Sequence, residues 1–265
     1  MATRLSTRSF VSLLLLSTGV VFASACDQAV VKCISARGDF AAKYTLVAGT
    51  GACAALKGGV LGFQSYNPAG PDGTPNFAVS SIAIQPDAIG VLRARVEASD
   101  LSDTDPTHKL YSVGTFSTAD PVNEFCEVPK FDNAAEQDLP AALEIAPDPA
   151  DPKDKGSPAQ AATKIKYAWS NVRIYVKAAA IGTQMSGDLV YTRDGCSATY
   201  KVVGVYPAHP CADDMGKADE KLCAPDADPG AGIAVGSGIS PDFPVKCDPD
   251  LLLCVLTDGA LPRLK

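Results

Sequence analysis

Histidine is nearly missing from this chain of 265 residues, which holds His108 and His209 and no others. A serine or cysteine nucleophile needs a positioned base, and no G-x-S-x-G elbow accompanies either histidine. There is no G-x-x-x-x-G-K-[ST] phosphate loop and no G-x-G-x-x-G dinucleotide fingerprint. No C-x-x-C occurs, which removes the zinc-ribbon spacing and the thioredoxin-like redox motif. Basic residues are outnumbered, 23 against 30 acids, for a net charge of -7; an electrostatic grip on nucleic acid is excluded. Hydrophobic residues at 46% and charged residues at 20% exclude a disordered chain.

What the sequence does have begins at its N-terminus. Arg4 and Arg8 precede an apolar run, Phe10 to Phe22, followed by the small residues Ala23-Ser24-Ala25. That order is the plan of an export signal over residues 1–25, and the run is shorter than the roughly 18–20 residues a permanent span needs. The longest later apolar run, Leu251 to Leu256, is shorter still. Cys26 follows, and Phe22-Ala23-Ser24-Ala25-Cys26 resembles the lipobox of bacterial lipoproteins, with Ala23 where that family most often has leucine. The resemblance implies a diacylglyceryl group on the Cys26 sulfur and cleavage just before it. The protein would then sit on a bilayer of the bacterial cell envelope, inner or outer membrane undecided, without crossing it. Ala23-Ser24-Ala25 also fits the A-x-A site of the general signal peptidase, which would cut at the same bond and leave a soluble periplasmic or secreted protein. Either cut removes Arg4 and Arg8, leaving 21 basic groups against 30 acids and a net charge of -9.

Cysteine parity bears on that choice. Nine cysteines in an oxidising compartment leave one over. With Cys26 lipidated, Cys33, Cys53, Cys126, Cys196, Cys211, Cys223, Cys247 and Cys254 remain, enough for four disulfides. Chain proximity favours Cys33–Cys53, Cys211–Cys223 and Cys247–Cys254, leaving Cys126–Cys196.

The mature chain reads as strands and turns, a mostly β protein with an antiparallel sandwich or barrel-like sheet. Residues 26–206 form the β-rich domain. Short apolar runs lie at Tyr44–Val47 and Val60–Phe63; Phe77, Val79, Ile82 and Ile84 suggest another strand, ended by Pro86-Asp87. Val91 to Val96 alternates apolar and charged residues, as a half-buried strand does. Ile165, Tyr167 and Trp169, then Val172, Ile174 and Val176, alternate on either side of a break at Ser170-Asn171. Asp194-Gly195 marks the turn of a β-hairpin over 187–206. Residues 133–160, rich in proline and acids, read as an exposed loop or linker. The cysteine-rich region 207–265 has little apolar periodicity and depends on disulfides to hold it on the domain.

Other chemistry is weighed against plainer readings. Asp100, Asp103 and Asp105 are calcium candidates by spacing, against a hydrated acidic loop. Asp148, Asp151 and Asp154 form a second such cluster. His209 beside Cys211 reads as a loop, not a chelate, between two prolines. Arg37-Gly38-Asp39 reads as a chance tripeptide. Tyr167, Trp169, Tyr175, Tyr191 and Tyr200 read as core packing. No cofactor is indicated. The function expected is a non-enzymatic, membrane-tethered envelope lipoprotein with a structural or binding role, its partners the bilayer and an envelope protein or glycan. A carboxylate-dependent exported hydrolase and a soluble binding module are the alternatives.

Overall fold

The computed structural model describes residues 31–97, 105–151, 155–257, 259 and 261–264. Three strands open the frame: β1 (Gly38–Gly49), β2 (Gly58–Tyr66) and β3 (Ser81–Pro86), each antiparallel to the next. After α1 (Asp87–Glu97) come the short strands β4 (Ser112–Thr115), β5 (Phe125–Lys130) and β6 (Ala135–Leu139). Then follow three long strands, β7 (Thr163–Tyr175), β8 (Gln184–Arg193) and β9 (Cys196–Val205). The sheet order is β4-β3-β2-β1-β9-β8-β7-β5, with β6 also pairing β7.

The two ends of that order meet, so the sheet is a nearly closed antiparallel barrel. Gly114 bridges Phe131, the Asp132 amide donates to the Val113 carbonyl at 2.7 Å, and the Ser117 amide donates to the Glu127 carbonyl at 2.8 Å. Polar side chains complete the seam. Asn133 accepts from the Val113 amide at 3.0 Å and donates to the Tyr111 carbonyl at 2.6 Å, while the buried Ser112 hydroxyl accepts from the Ala135 amide at 2.8 Å. Closure removes sheet edges that would otherwise pair with other chains. The seam needs glycine at 114, because a Cβ there would lie 2.5 Å from Val128 Cγ1 and 3.0 Å from the Lys130 carbonyl oxygen. Gly114→Ala is expected to cost about 1–3 kcal/mol by overpacking. Thermal unfolding checks the loss, and faster hydrogen exchange at Val113 and Asp132 locates it at the seam.

Period-2 patterning fills the interior. Phe40, Ala42 and Tyr44 of β1, Leu61 and Phe63 of β2, and Ile82 and Ile84 of β3 are buried in one cluster. Tyr167, Trp169, Tyr191 and Tyr200 belong to it, with Tyr167 and Tyr191 ring centroids 5.0 Å apart. Tyr175 is equally buried but belongs to a second cluster, so the aromatics are core. The outer wall of β6–β9 carries ion pairs between residues directly opposite in register: Lys164–Asp138 (2.6 Å), Lys166–Glu136 (2.8 Å) and Lys201–Asp188 (2.6 Å). Such pairs contribute fractions of a kcal/mol and favour this register over a slipped one.

Residues 207–257 lie over the other face of the sheet. Phe243, Ile239, Val255 and Leu256 pack with Ala41, Tyr175 and Val205, which explains why β1 is buried on both faces at 40–42. A small hairpin, β10 (Val245–Asp248) and β11 (Leu253–Leu256), is the only sheet of this region among the described residues. Buried Gln184 of β8 exchanges two hydrogen bonds with the Arg263 backbone, both 3.0 Å, and Lys43 pairs with Asp248 at 3.4 Å.

Several expectations change. The stretch at 91–96 is helix, not strand. Ile89, Leu92 and Val96 fall on one helical face and pack inward, whereas Val91 is 54% exposed. The alternation of V-L-R-A-R-V suits both periods over six residues, and Asp87 behind Pro86 starts a helix well. Phe77–Val79 is a 3-10 turn, and its strand begins only at Ser81. Residues 133–160 include β6, and beyond it Ala142 bridges Gln160 and Ile145 bridges Ser157. Ser170-Asn171 is not a break but an irregularity inside continuous β7, with Asn171 at φ 51°. The hairpin at 187–206 is as expected: Asp194 and Gly195 take φ 48° and 85°, the left-handed pair of a type I′ turn.

The favoured cysteine pairing is overturned completely. The bridges are Cys33–Cys126, Cys53–Cys196, Cys211–Cys247 and Cys223–Cys254. Chain proximity misleads here because the barrel brings distant strands together. Cys247 and Cys254 sit opposite each other in the β10–β11 hairpin, which its own hydrogen bonds already close, yet each bonds to a separate loop.

Candidate ligand groove on the barrel wall

A concavity with convergent polar groups lies outside the barrel, on β1, β2 and β3. It encloses about 490 Å³, within the roughly 300–1,000 Å³ usual for small-ligand sites. Register assembles it. Asp39 of β1 is opposite Gly62 of β2, which is opposite Gln85 of β3, so an acid and an amide flank a bare glycine. Arg37 and Gln64 extend this lining, with Asp87 from the start of α1 and the exposed ring of Tyr111. Each of these polar side chains is exposed because outward positions alternate with core positions such as Phe40, Leu61, Phe63 and Ile84. Gly62 keeps the floor open: the nearest atoms to a Cβ built there are the Gln85 carbonyl oxygen at 3.6 Å, Asp39 Oδ1 at 3.7 Å and Gln85 Cβ at 4.0 Å.

Arg37-Gly38-Asp39, expected to be a chance tripeptide, thus lines the groove with all three of its residues. Nothing in the sequence marks Gln64, Gln85, Asp87 and Tyr111 as a set. They are scattered over nearly fifty residues, and only strand register, not spacing, gathers them.

A second concavity, about 450 Å³, sits at the barrel end between the 3-10 turn Gly51–Ala55 and the β8–β9 turn, beside Tyr191 and Arg193. That turn caps the barrel. The Tyr200 hydroxyl donates to the Cys53 carbonyl and accepts from the Leu56 amide at 3.1 Å, and the Cys53–Cys196 bridge staples the cap to β9.

The other candidates are placed as follows. Cys26, Asp100, Asp103 and Asp154 lie outside the described residues. Asp105 is exposed and turned inward on its own loop, accepting from the Thr107 amide (2.8 Å) and hydroxyl (2.7 Å) and lying 3.8 Å from His108. Asp148 likewise accepts from the Ala150 amide at 2.8 Å. The sulfurs of Cys211, Cys223 and Cys247 lie within 4.8 Å of one another. They are disulfide sulfurs with no thiolate to offer, and His209 lends its carbonyl to the Cys254 amide at 2.9 Å. Burial pushes the His209 imidazole below its ordinary value.

Burial also raises the phenols of Tyr44, Tyr167 and Tyr191, with the neighbouring tyrosines adding to the shift at Tyr44 and Tyr167. A folded value above the unfolded one stabilises the fold below about pH 10, and that stability is lost as pH climbs past it. In a pH jump into alkali, phenolate absorbance from these residues is therefore expected to appear together with loss of far-ultraviolet dichroism. Ionisation with the dichroism intact would show that the interior admits water.

The fold is thus that of a disulfide-stapled antiparallel barrel with a covering C-terminal segment. The family model MlpA matches residues 38–207, which begin with β1 and end just past β9, and the chain belongs to the MlpA family. A Myxococcus xanthus protein bearing the name "Putative lipoprotein MlpA" is 29% identical over 176 residues, 66% of this chain. The match spans 60% of that relative's length. No solved structure matches the chain. Among the described residues, no helix is long and apolar enough to cross a membrane.

Proposed function

We propose that the protein is a non-enzymatic lipoprotein of the bacterial cell envelope, tethered through lipid on Cys26, with its barrel serving a binding role. The observation that carries this reading is the cysteine pattern: four bridges use every cysteine except Cys26, the residue at the lipobox. The lipoprotein name of the Myxococcus relative supports it.

The tether would be short. Six residues separate Cys26 from Cys33, whose bridge to Cys126 fixes the chain to β5. Lys32–Asp120 at 2.5 Å and the Cys33 amide donating to the Ala119 carbonyl at 2.9 Å secure the same place. An extended chain of that length reaches at most about 25 Å, so the barrel would stay near the bilayer surface. Two or more acyl chains, at about 0.8 kcal/mol per buried methylene, would make the attachment durable. Cys26→Ala is expected to move the protein from the membrane fraction to the soluble fraction with its unfolding temperature unchanged. A variant that stays with the membrane refutes the anchor, and a wild-type protein already soluble identifies the exported binding module instead.

A further inference from the structure

We propose that the β1–β3 wall groove is a binding site for a neutral, polyhydroxylated ligand, a glycan chain. The proposal rests on the binding role argued above and adds the ligand's chemistry. Strand addition cannot be the mode of recognition, because β2 is hydrogen-bonded to a strand on each side and offers no edge. Recognition must come from side chains. Arg37 supplies donors only, Asp39 and Asp87 supply acceptors, and the Gln64 and Gln85 amides supply both.

A sugar hydroxyl donates and accepts at once, so it suits that mixed set, and the Tyr111 ring offers an apolar plate for the C–H face of a pyranose. Other classes fit less well. Two carboxylates against one guanidinium, in a chain of net charge -7, disfavour an anion. An apolar ligand would desolvate five charged or amide groups with nothing to replace their water. A cationic peptide would meet Arg37. The bare Gly62 lets a ring lie flat between Asp39 and Gln85, where a larger residue would stand in the way.

The test is calorimetric titration of the full mature chain, in a detergent without sugar headgroups, with cellotetraose, chitotetraose and, separately, tetralysine. Binding of either oligosaccharide is expected. Tyr111→Ala should weaken it about tenfold or more, as loss of a central aromatic contact does. Gly62→Phe, which removes no polar group and whose Cβ comes no nearer than ordinary contact, 3.6 Å from the Gln85 carbonyl oxygen, should abolish it at an unchanged unfolding temperature. No binding of either oligosaccharide, or binding that Gly62→Phe leaves intact, overturns the proposal. Tetralysine binding that Gly62→Phe abolishes, with no sugar binding, overturns it in favour of a cationic peptide. Release of Cys26→Ala from membranes is independent of all these outcomes, so the anchor and the glycan site fail separately.

Discussion

Serine at both Cys53 and Cys196 is expected to destabilise the protein by about 5 kcal/mol, the largest loss from any single bridge, since a cross-link stabilises mainly by restricting the unfolded chain and more so over a longer loop. This bridge spans 143 residues, against 93 for Cys33–Cys126, 36 for Cys211–Cys247 and 31 for Cys223–Cys254. For Cys211→Ser with Cys247→Ser the same reasoning gives about 4 kcal/mol. The Cys53 pair also loses the staple of the 3-10 cap, so hydrogen exchange should quicken at the Leu56 amide, which Tyr200 holds. Denaturant midpoints of the two double variants, measured side by side, check the order. Equal losses would show that loop length does not govern stability here and that the unfolded chain is already compact.

Gly58→Val is expected to cost about 3 kcal/mol or more, through overpacking and backbone strain together. A Cβ at 58 would lie 2.1 Å from the Ala42 carbonyl oxygen and 2.7 Å from Leu251 Cδ1, at a φ of +154° that L side chains rarely adopt. Ala42 lies in the centre of β1 and cannot retreat, since β2 and β9 hold it on both sides. Leu251 belongs to the turn between β10 and β11, so the clash should also lift the C-terminal segment from the sheet. Equilibrium unfolding measures the loss, and limited proteolysis should show earlier cleavage within 207–264. A variant of wild-type stability would mean that β2 can begin one residue later without harm.

Much of the fold is legible in the sequence because β patterning is local. The alternation at 163–176 and the Asp194-Gly195 turn specify β7, β8 and β9 directly, and the even burial of Phe40, Ala42 and Tyr44 follows the same rule. Helix α1 is lost to the eye because six residues fit both periods, and Ile89, outside that window, is what settles the helical face. β6 is hidden because Glu136 and Asp138 face solvent as partners of Lys166 and Lys164, so its acids look like loop composition.

The disulfide partners are not legible at all. Which cysteines meet is set by strand order, as where β9 returns beside β1 and brings Cys196 to Cys53. The groove follows the same logic. Arg37 and Asp39 are visible as a tripeptide, but their relation to Gln85 and Tyr111 exists only after β1, β2 and β3 are in register. Sites on a sheet wall take one or two residues per strand, and no spacing in the chain advertises them.

The most direct test is the intact mass of the unreduced protein purified from cell membranes. The expected species begins at Cys26 and is heavier than residues 26–265 by a diacylglyceryl group and lighter by the eight hydrogens of four disulfides. A chain that retains its first 25 residues, or one whose Cys26 carries no lipid, would contradict that expectation.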